Sequence, residues 1–249
     1  GDLLMAYNVL GSYAAAKGRL FSWPGLKAAV INADDAQSAL YQQQLAIGVR
    51  CLSYSLQADS DAEIVAESVQ PSLDGLMLKV RTPWGRIALK SALLGRFNAS
   101  NLLAVLGGLL SLGYGLEQSA QALSTVAPVA GRMQCLREGQ SPLAVVDYAH
   151  TPDALEQALS AAREHTEGKL WCVFGCGGGR DTGKRSEMGR IAAALADMLV
   201  LTTDNPREEA PESILQDIQQ GLNGRAATII IDRAEAIAHA LKNAAADDV

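Results

Sequence analysis

Four short apolar runs in the second half of the chain each stop at a polar or glycine cluster: Val145-Val146 at Asp147, Val173-Phe174 at Gly175, Val200-Leu201 at Thr202 and Ile230-Ile231 at Asp232. Each run is β-branched or aromatic, and the stretches between them read as helices. The repeating unit is therefore strand, loop, helix, which builds a parallel sheet. Successive strand tips lie roughly 30 residues apart, the length of a βα unit. The loops at those tips do not resemble one another, so the spacing reflects architecture and not a sequence repeat. In a parallel sheet all carboxyl ends share one edge, and open α/β sheets take their ligands there. Asp147 to His150, Gly175 to Arg185, Asp204 to Arg207 and Asp232-Arg233 are thus expected to converge.

The first half reads differently. Leu26 to Asn32 predicts a strand, Ala33-Asp34-Asp35 its end, and a helix follows through Gln44. Segments Val49 to Ser55, Leu73 to Arg81 and Arg86 to Leu93, with Pro83-Trp84-Gly85 between the last two, predict a small antiparallel meander. Asn98 to Leu112 turns helical, and the β/α repeat begins just beyond Gly131-Arg132-Met133. The expected fold class is α/β with two domains, 1–131 and 132–249, the second Rossmann-like with a mostly parallel sheet. Val249, after Asp247-Asp248, sits where a fifth strand of the second domain would begin.

Within that second domain, Thr151 can cap the helix after the first strand and Pro152 suits its first position. Leu155, Ala158, Leu159 and Ala162 form one apolar stripe that should face the sheet.

With 249 residues and a net charge of -6, binding a nucleic-acid backbone by bulk charge is disfavoured. Cys51, Cys135, Cys172 and Cys176 are dispersed, which argues for reduced thiols and a cytoplasmic setting over a disulfide or zinc framework. The longest apolar stretch, Leu102 to Leu112, is short for a membrane span and contains glycines, so no membrane insertion is expected. A monomer is expected.

Candidate chemistry sits in the strand-tip loops. Gly175-Cys176-Gly177-Gly178-Gly179-Arg180-Asp181-Thr182-Gly183-Lys184-Arg185 leaves a strand and enters a helix, where free backbone N–H groups could hold an anion. Gly178 to Lys184 has the spacing of a phosphate loop, but Arg185 stands where that motif needs Ser or Thr. A dinucleotide fingerprint starts at Gly175 and Gly177 and fails at Arg180. What remains is a loop with three cations, Arg180, Lys184 and Arg185, suited to carboxylate or phosphate, or else a glycine turn with solvated charges. Asp204-Asn205-Pro206-Arg207 offers a fixed turn, an amide that both donates and accepts, and a guanidinium fork for a carboxylate; a plain Asx-type turn fits equally. Asp147-Tyr148-Ala149-His150 adds a carboxylate and an imidazole. His165 and His239 fall on predicted helix surfaces, leaving His150 as the candidate site histidine. Lys17, on an alanine-rich helix, carries no chemical signal by itself.

Taken together, Tyr13 to Lys17, Val30 to Asp35, Gly95 to Asn101, Gly131 to Met133, Asp147 to Pro152, Phe174 to Arg185 and Asp204 to Arg207 resemble the Mur ligase family in order, over nearly the whole chain. Within the family they are most similar to the branch that adds meso-diaminopimelate. The resemblance implies the C-terminal portion of a central ATP-binding domain followed by an amino-acid-binding α/β domain. It further implies ATP and Mg2+ as cofactors, with UDP-MurNAc-L-Ala-D-Glu and meso-diaminopimelate joined through an acyl phosphate in peptidoglycan synthesis. By similarity Lys17 is carbamylated and orients magnesium, and Asn98 meets adenine. Arg132 and Asp147 meet ribose or phosphates, with His150 close by. Arg180, Asp204, Asn205, Pro206 and Arg207 grip the amino acid.

No Gly-x-x-x-x-Gly-Lys-Ser/Thr string occurs, so the family's phosphate loop and nucleotide-sugar domain are expected upstream of Gly1, and a Gly-Lys-Gly-x-Glu segment after Val249. Asp2 to Gly11 reads as about ten residues more than the family carries there, and Ser186 replaces a common proline. The chain alone is expected to be catalytically inactive. The alternatives are a folylpolyglutamate synthase-like ligase, a non-catalytic amino-acid or nucleotide-binding module, and, least favoured, a nucleotide-dependent oxidoreductase.

Overall fold

A computed structural model describes residues 14–179 and 181–249. The insertion read at Asp2 to Gly11, Tyr13, and Arg180 lie outside the described residues. The chain divides into two compact units. One takes in residues up to Gln70 with Leu76–Ala92 and Arg96–Val126, the other Pro71–Gly75, Leu93–Gly95 and Ala127–Val249.

The first unit holds a five-stranded sheet in the order β1 (Ala28–Asn32), β2 (Arg50–Ser55), β3 (Ile64–Ser72), β4 (Gly75–Thr82), β5 (Gly85–Ser91). β1 pairs parallel with β2, and β2 with β3. β4 pairs antiparallel with β5, closed by a turn at Pro83-Trp84. The expected three-segment meander is therefore corrected: its first segment belongs to a parallel ladder, and β3 was not anticipated. Only Ile64-Val65-Ala66 of β3 is buried, while its remainder carries Glu67, Gln70 and Pro71, which hides the strand period. In β4, Leu76, Leu78 and Val80 are buried while Met77 and Lys79 face out, the alternation of a strand with one covered face.

A short helix, α1 (Ser38–Gln43), follows β1. The long helix α2 (Arg96–Ser111) packs on β1 and β2 through Leu102, Leu103, Leu106 and Leu110. Gly107 makes that packing possible, because a Cβ there would come within 2.9 Å of Val30 Cγ1 and 3.2 Å of Ile64 Cδ1. α3 (Leu116–Ser124) lies against β5 and α2.

The second unit carries the βα repeat. β8 (Trp171–Phe174), β9 (Met198–Leu201) and β10 (Thr228–Ile229) form a parallel sheet in the order β10-β9-β8. α4 (Pro152–Glu164), α5 (Gly183–Leu195), α6 (Pro211–Gln220) and α7 (Arg233–Asn243) follow strands in turn. The expectation that all four runs enter one sheet is corrected: β7 (Ala144–Val146) pairs antiparallel with β6 (Gln134–Leu136) as a separate ribbon. Both ribbon strands are three residues long and only partly covered, unlike Leu199, Val200 and Leu201 of β9, which are fully buried. The helix caps follow the sequence. The Thr151 hydroxyl accepts from the Ala154 N–H at 3.3 Å, Pro152 opens α4, and Leu155, Leu159 and Ala162 face the core.

Val249 lies along the free side of β8: its N–H donates to Lys169 O at 3.1 Å and its carbonyl accepts from Trp171 N at 2.7 Å, the alternation of a parallel ladder. Asp248, 4% exposed, anchors it by accepting from Lys169 N at 2.7 Å, Trp171 Nε1 at 2.9 Å and Ala245 N at 3.0 Å.

His165 is also corrected. It caps the end of α4 and is buried at 2% exposure, with Nδ1 2.6 Å from Ser72 O and Nε2 accepting from Gly95 N at 2.9 Å. Because Nε2 accepts, Nδ1 carries the proton, and the ring is a structural pin for two turns of the same unit. Among the described residues no helix is long and apolar enough to cross a membrane.

Candidate functional site

At the carboxyl edge of the three-stranded sheet, the loop after β8 and the loop after β9 are pressed together backbone to backbone. A Cβ on Gly175 would collide with Thr202 O, and one on Gly178 with Pro206 O, so these glycines are required by close approach. Gly178 N donates to Asn205 O at 2.9 Å. Arg207 takes a left-handed backbone, φ 53, and its side chain lies over Gly179, where a Cβ would stand 3.4 Å from Arg207 Cδ. Asp204, Asn205 and Arg207 are exposed and Pro206 is half-buried. A non-glycine residue at positive φ costs about 1 kcal/mol or more and persists where its surroundings hold it.

The same contacts narrow the reading of the glycine loop as an open anion cradle. The Gly178 N–H goes to Asn205 O, the Gly179 N–H to Glu209 Oε1, and the Gly183 N–H at the start of α5 to Asp181 Oδ1 at 3.0 Å. Acceptors within the chain thus occupy three of the N–H groups that such a cradle would draw on.

Two of the three expected cations are also committed. Arg185 is 1% exposed: Nη1 meets Asp217 Oδ2 and Glu209 Oε2, each at 2.9 Å, and Nη2 donates to Glu209 Oε1 at 2.9 Å and Gly177 O at 3.3 Å. The hydrogen bond from Arg185, then that from the Gly179 N–H, holds the Glu209 carboxyl below the ordinary glutamate range. Lys184 Nζ donates to His150 O at 2.9 Å, which brings the loop after β7 to the start of α5.

In that loop Asp147 Oδ2 accepts from Met133 N at 2.9 Å. Exposed Arg132 lies with its guanidinium carbon 5.2 Å from the Tyr148 ring centroid, and the Tyr148 and His150 rings are 5.4 Å apart at 59°. His150 is exposed, its Nδ1 3.1 Å from Tyr148 O. An arginine, an aromatic ring and an imidazole thus neighbour one another at the loop that carries Asp147. Their grouping suits an anion attached to a ring. Asp232 and Arg233 reach the edge in structural roles: Asp232 Oδ1 caps α7 through Glu235 N at 2.9 Å, and Arg233 Nη1 donates to Thr203 O at 3.1 Å.

In the first unit Lys17 is exposed within helical residues 14–18. Asn98 lies half-buried in the first turn of α2, its Oδ1 accepting from Asn101 Nδ2 at 3.2 Å. Among the described residues no three His, Cys, Asp or Glu side chains gather as a metal site. Glu209 and Tyr148 were not singled out from the sequence. Glu209 follows Arg207-Glu208 in a charged run that reads as solvated, and Tyr148 is a lone aromatic at a strand tip.

Residues 5–109 match the Mur ligase middle domain, and residues 131–249 match the Mur ligase, glutamate ligase domain. The chain is 47% identical over 248 residues to the UDP-N-acetylmuramoyl-L-alanyl-D-glutamate--2,6-diaminopimelate ligase of Alkalilimnicola ehrlichii, and 44% identical over 253 residues to that of Coxiella burnetii. All of this chain is aligned in both cases, against 50% and 52% of the relatives. A solved structure of a ligase of the same name is similar with a TM-score of 0.76 and 40% identity, over 96% of this chain and 50% of that one. The chain spans about half the length of the relatives it matches. With both domain matches in register along it, the chain belongs to the Mur ligase family.

Proposed function

We propose that the protein carrying this chain is an ATP-dependent amide-bond ligase that joins meso-diaminopimelate to UDP-MurNAc-L-Ala-D-Glu in peptidoglycan synthesis. The observation that carries the reading is Arg207, held at φ 53 on the Asp204–Arg207 turn with its side chain laid over Gly179. The exposed guanidinium carried on that turn offers a planar fork to a carboxylate. Meso-diaminopimelate has a second carboxylate that lysine lacks, so an arginine at this turn discriminates between them. Asn205, with its carbonyl engaged by Gly178, keeps its side-chain amide exposed to donate and accept beside it. Asp204, Pro206 and Arg180 complete the amino-acid site.

Arg132, Asp147, His150 and Asn98 are proposed to serve the nucleotide. Arg132 is exposed and not ion-paired among the described residues, so its charge is free for a phosphate. Asp147 spends one carboxylate oxygen on Met133 N, which leaves the other for a ribose hydroxyl. When bound, ATP supplies the phosphoryl group that turns the acceptor carboxylate into an acyl phosphate open to attack by the amine. Lys17 is proposed to be carbamylated, which converts a cation into an oxygen donor for magnesium. Among the described residues no three His, Cys, Asp or Glu side chains form a ready-made cluster of metal ligands.

The test is ATP turnover by the complete polypeptide. Phosphate release requiring both UDP-MurNAc-L-Ala-D-Glu and meso-diaminopimelate is expected. Turnover with a folate and glutamate would assign the folylpolyglutamate synthase alternative instead. Calorimetric binding of diaminopimelate without any turnover would leave a binding module.

A further inference from the structure

Close to Arg207, proposed to hold the amino acid, a carboxylate bridges to the glycine loop. Glu209 accepts from the N–H of Gly179, the residue before Arg180, and sits two positions after Arg207. Both of its oxygens also meet the Arg185 guanidinium, itself 1% exposed and held a second time by Asp217. One side chain therefore ties the glycine loop to the Asp204–Arg207 turn, and a buried cation pins that side chain in place. Gly178 N donating to Asn205 O is the only other hydrogen bond joining the two loops among the described residues.

We infer that Glu209, braced by Arg185, is a positioning residue that sets the distance between the two loops and thereby the preference for a diamino acid with two carboxylates. The inference rests on the reading of Arg207 as a carboxylate contact. A planar fork discriminates only while its target is at bidentate range, and a shift of about 1 Å is enough to forfeit such a contact. Arg185 has another partner in Asp217, so the cluster separates two functions. Glu209 acts on the loops, whereas Asp217 only secures Arg185 against α6.

The experiment compares Glu209→Gln, Glu209→Asp, Asp217→Asn and Arg207→Ala in the complete polypeptide, measuring kcat and KM for ATP and for meso-diaminopimelate, with lysine as the competing amine. Glu209→Gln is expected to raise KM for meso-diaminopimelate about tenfold and to narrow its preference over lysine. Its kcat and its KM for ATP should stay within about twofold of the parent. Asp217→Asn, which leaves the loop tie intact, should change that KM less than about threefold, and Glu209→Asp should recover part of the preference. Equal effects of Glu209→Gln and Asp217→Asn, or a loss of kcat with unchanged amine preference, would overturn the inference and leave the cluster a structural ion pair. Arg207→Ala is the separate control: if it fails to raise KM for meso-diaminopimelate, the reading of the amino-acid site fails, whatever Glu209 does.

Discussion

Asp147 accepts a hydrogen bond from the backbone of Met133 at 2.9 Å, across fourteen residues of chain. Met133 sits at φ 43 and Gly131 at φ 70, so the turn carrying Arg132 runs through left-handed backbone on both sides of it. Asp147 helps hold that turn, with Gln134 Oε1 accepting from Gly131 N at 3.0 Å. Asp147→Ala should lower the unfolding free energy by about 1–2 kcal/mol, the usual cost of orphaning a part-buried donor. Asp147→Asn keeps an acceptor and should lose less than half as much. Urea denaturation of the three proteins measures both. Equal losses would show that charge, not the hydrogen bond, is what matters there.

Gly178 has an ordinary backbone, and its constraint is space alone. Gly178→Ala puts a methyl into Pro206 O, a backbone atom with no rotamer to escape through. The expected loss is at least about 2 kcal/mol, in the range of overpacked cores. Gly177→Ala, whose Cβ would meet Asn205 O at 3.6 Å, should cost less than about 1 kcal/mol. Thermal unfolding of the pair distinguishes a steric requirement from a general need for loop flexibility.

Burial works to raise the Asp248 carboxyl, but hydrogen bonds from Ala245 N, Lys169 N and the Trp171 indole more than offset it, and its ionisation lies below the ordinary aspartate range. A carboxyl depressed in the folded state contributes stability that is fully present above its unfolded value, near 4, and is lost as pH falls through the folded value. Stability should therefore be flat from pH 7 to about 5 on this account and decline below about 4. Asp248→Asn should flatten that decline while lowering stability at pH 7 by on the order of 2 kcal/mol. Trp171 fluorescence reports the site directly. An unchanged acid limb in the variant would contradict the assignment.

Burial pushes the Cys172 thiol up to about 12 and Cys176 to about 11, while Cys51 and Cys135 are only partly covered. A thiol reagent at pH 8 should modify Cys51 and Cys135 in the native protein and Cys172 and Cys176 only after denaturant is added. Mass spectrometry of the labelled peptides gives the order. Native labelling of Cys172 would mean that β8 opens locally.

The sequence exposed the places where strands end far better than the strands' partners. Phe174, Leu201 and the Thr151-Pro152 cap are local signals, written in the residues on either side of a boundary, and they appear in the structure where expected. Pairing is not local. β7 looks like β8 in composition but finds β6, and β2 looks like a hairpin strand but runs parallel between β1 and β3. Arg185 reads with Arg180 and Lys184 as available charge in a glycine loop. Its burial depends on Glu209 and Asp217 arriving from beyond the next strand. His165 reads as a helix-surface residue from its own neighbours, whereas its partners, Ser72 and Gly95, come from distant turns.

Gly107 bears no chemistry, yet Asn98 stands nine residues before it on the same helix, about 14 Å along the axis. A stiff rod seated a methyl's width closer to Val30 and Ile64 also sets the height of its far end. Replacing that hydrogen by any side chain would work as a wedge under a lever and swing the Asn98 amide out of its present place. The placement of that first turn is thus written into a residue at the other end of the helix.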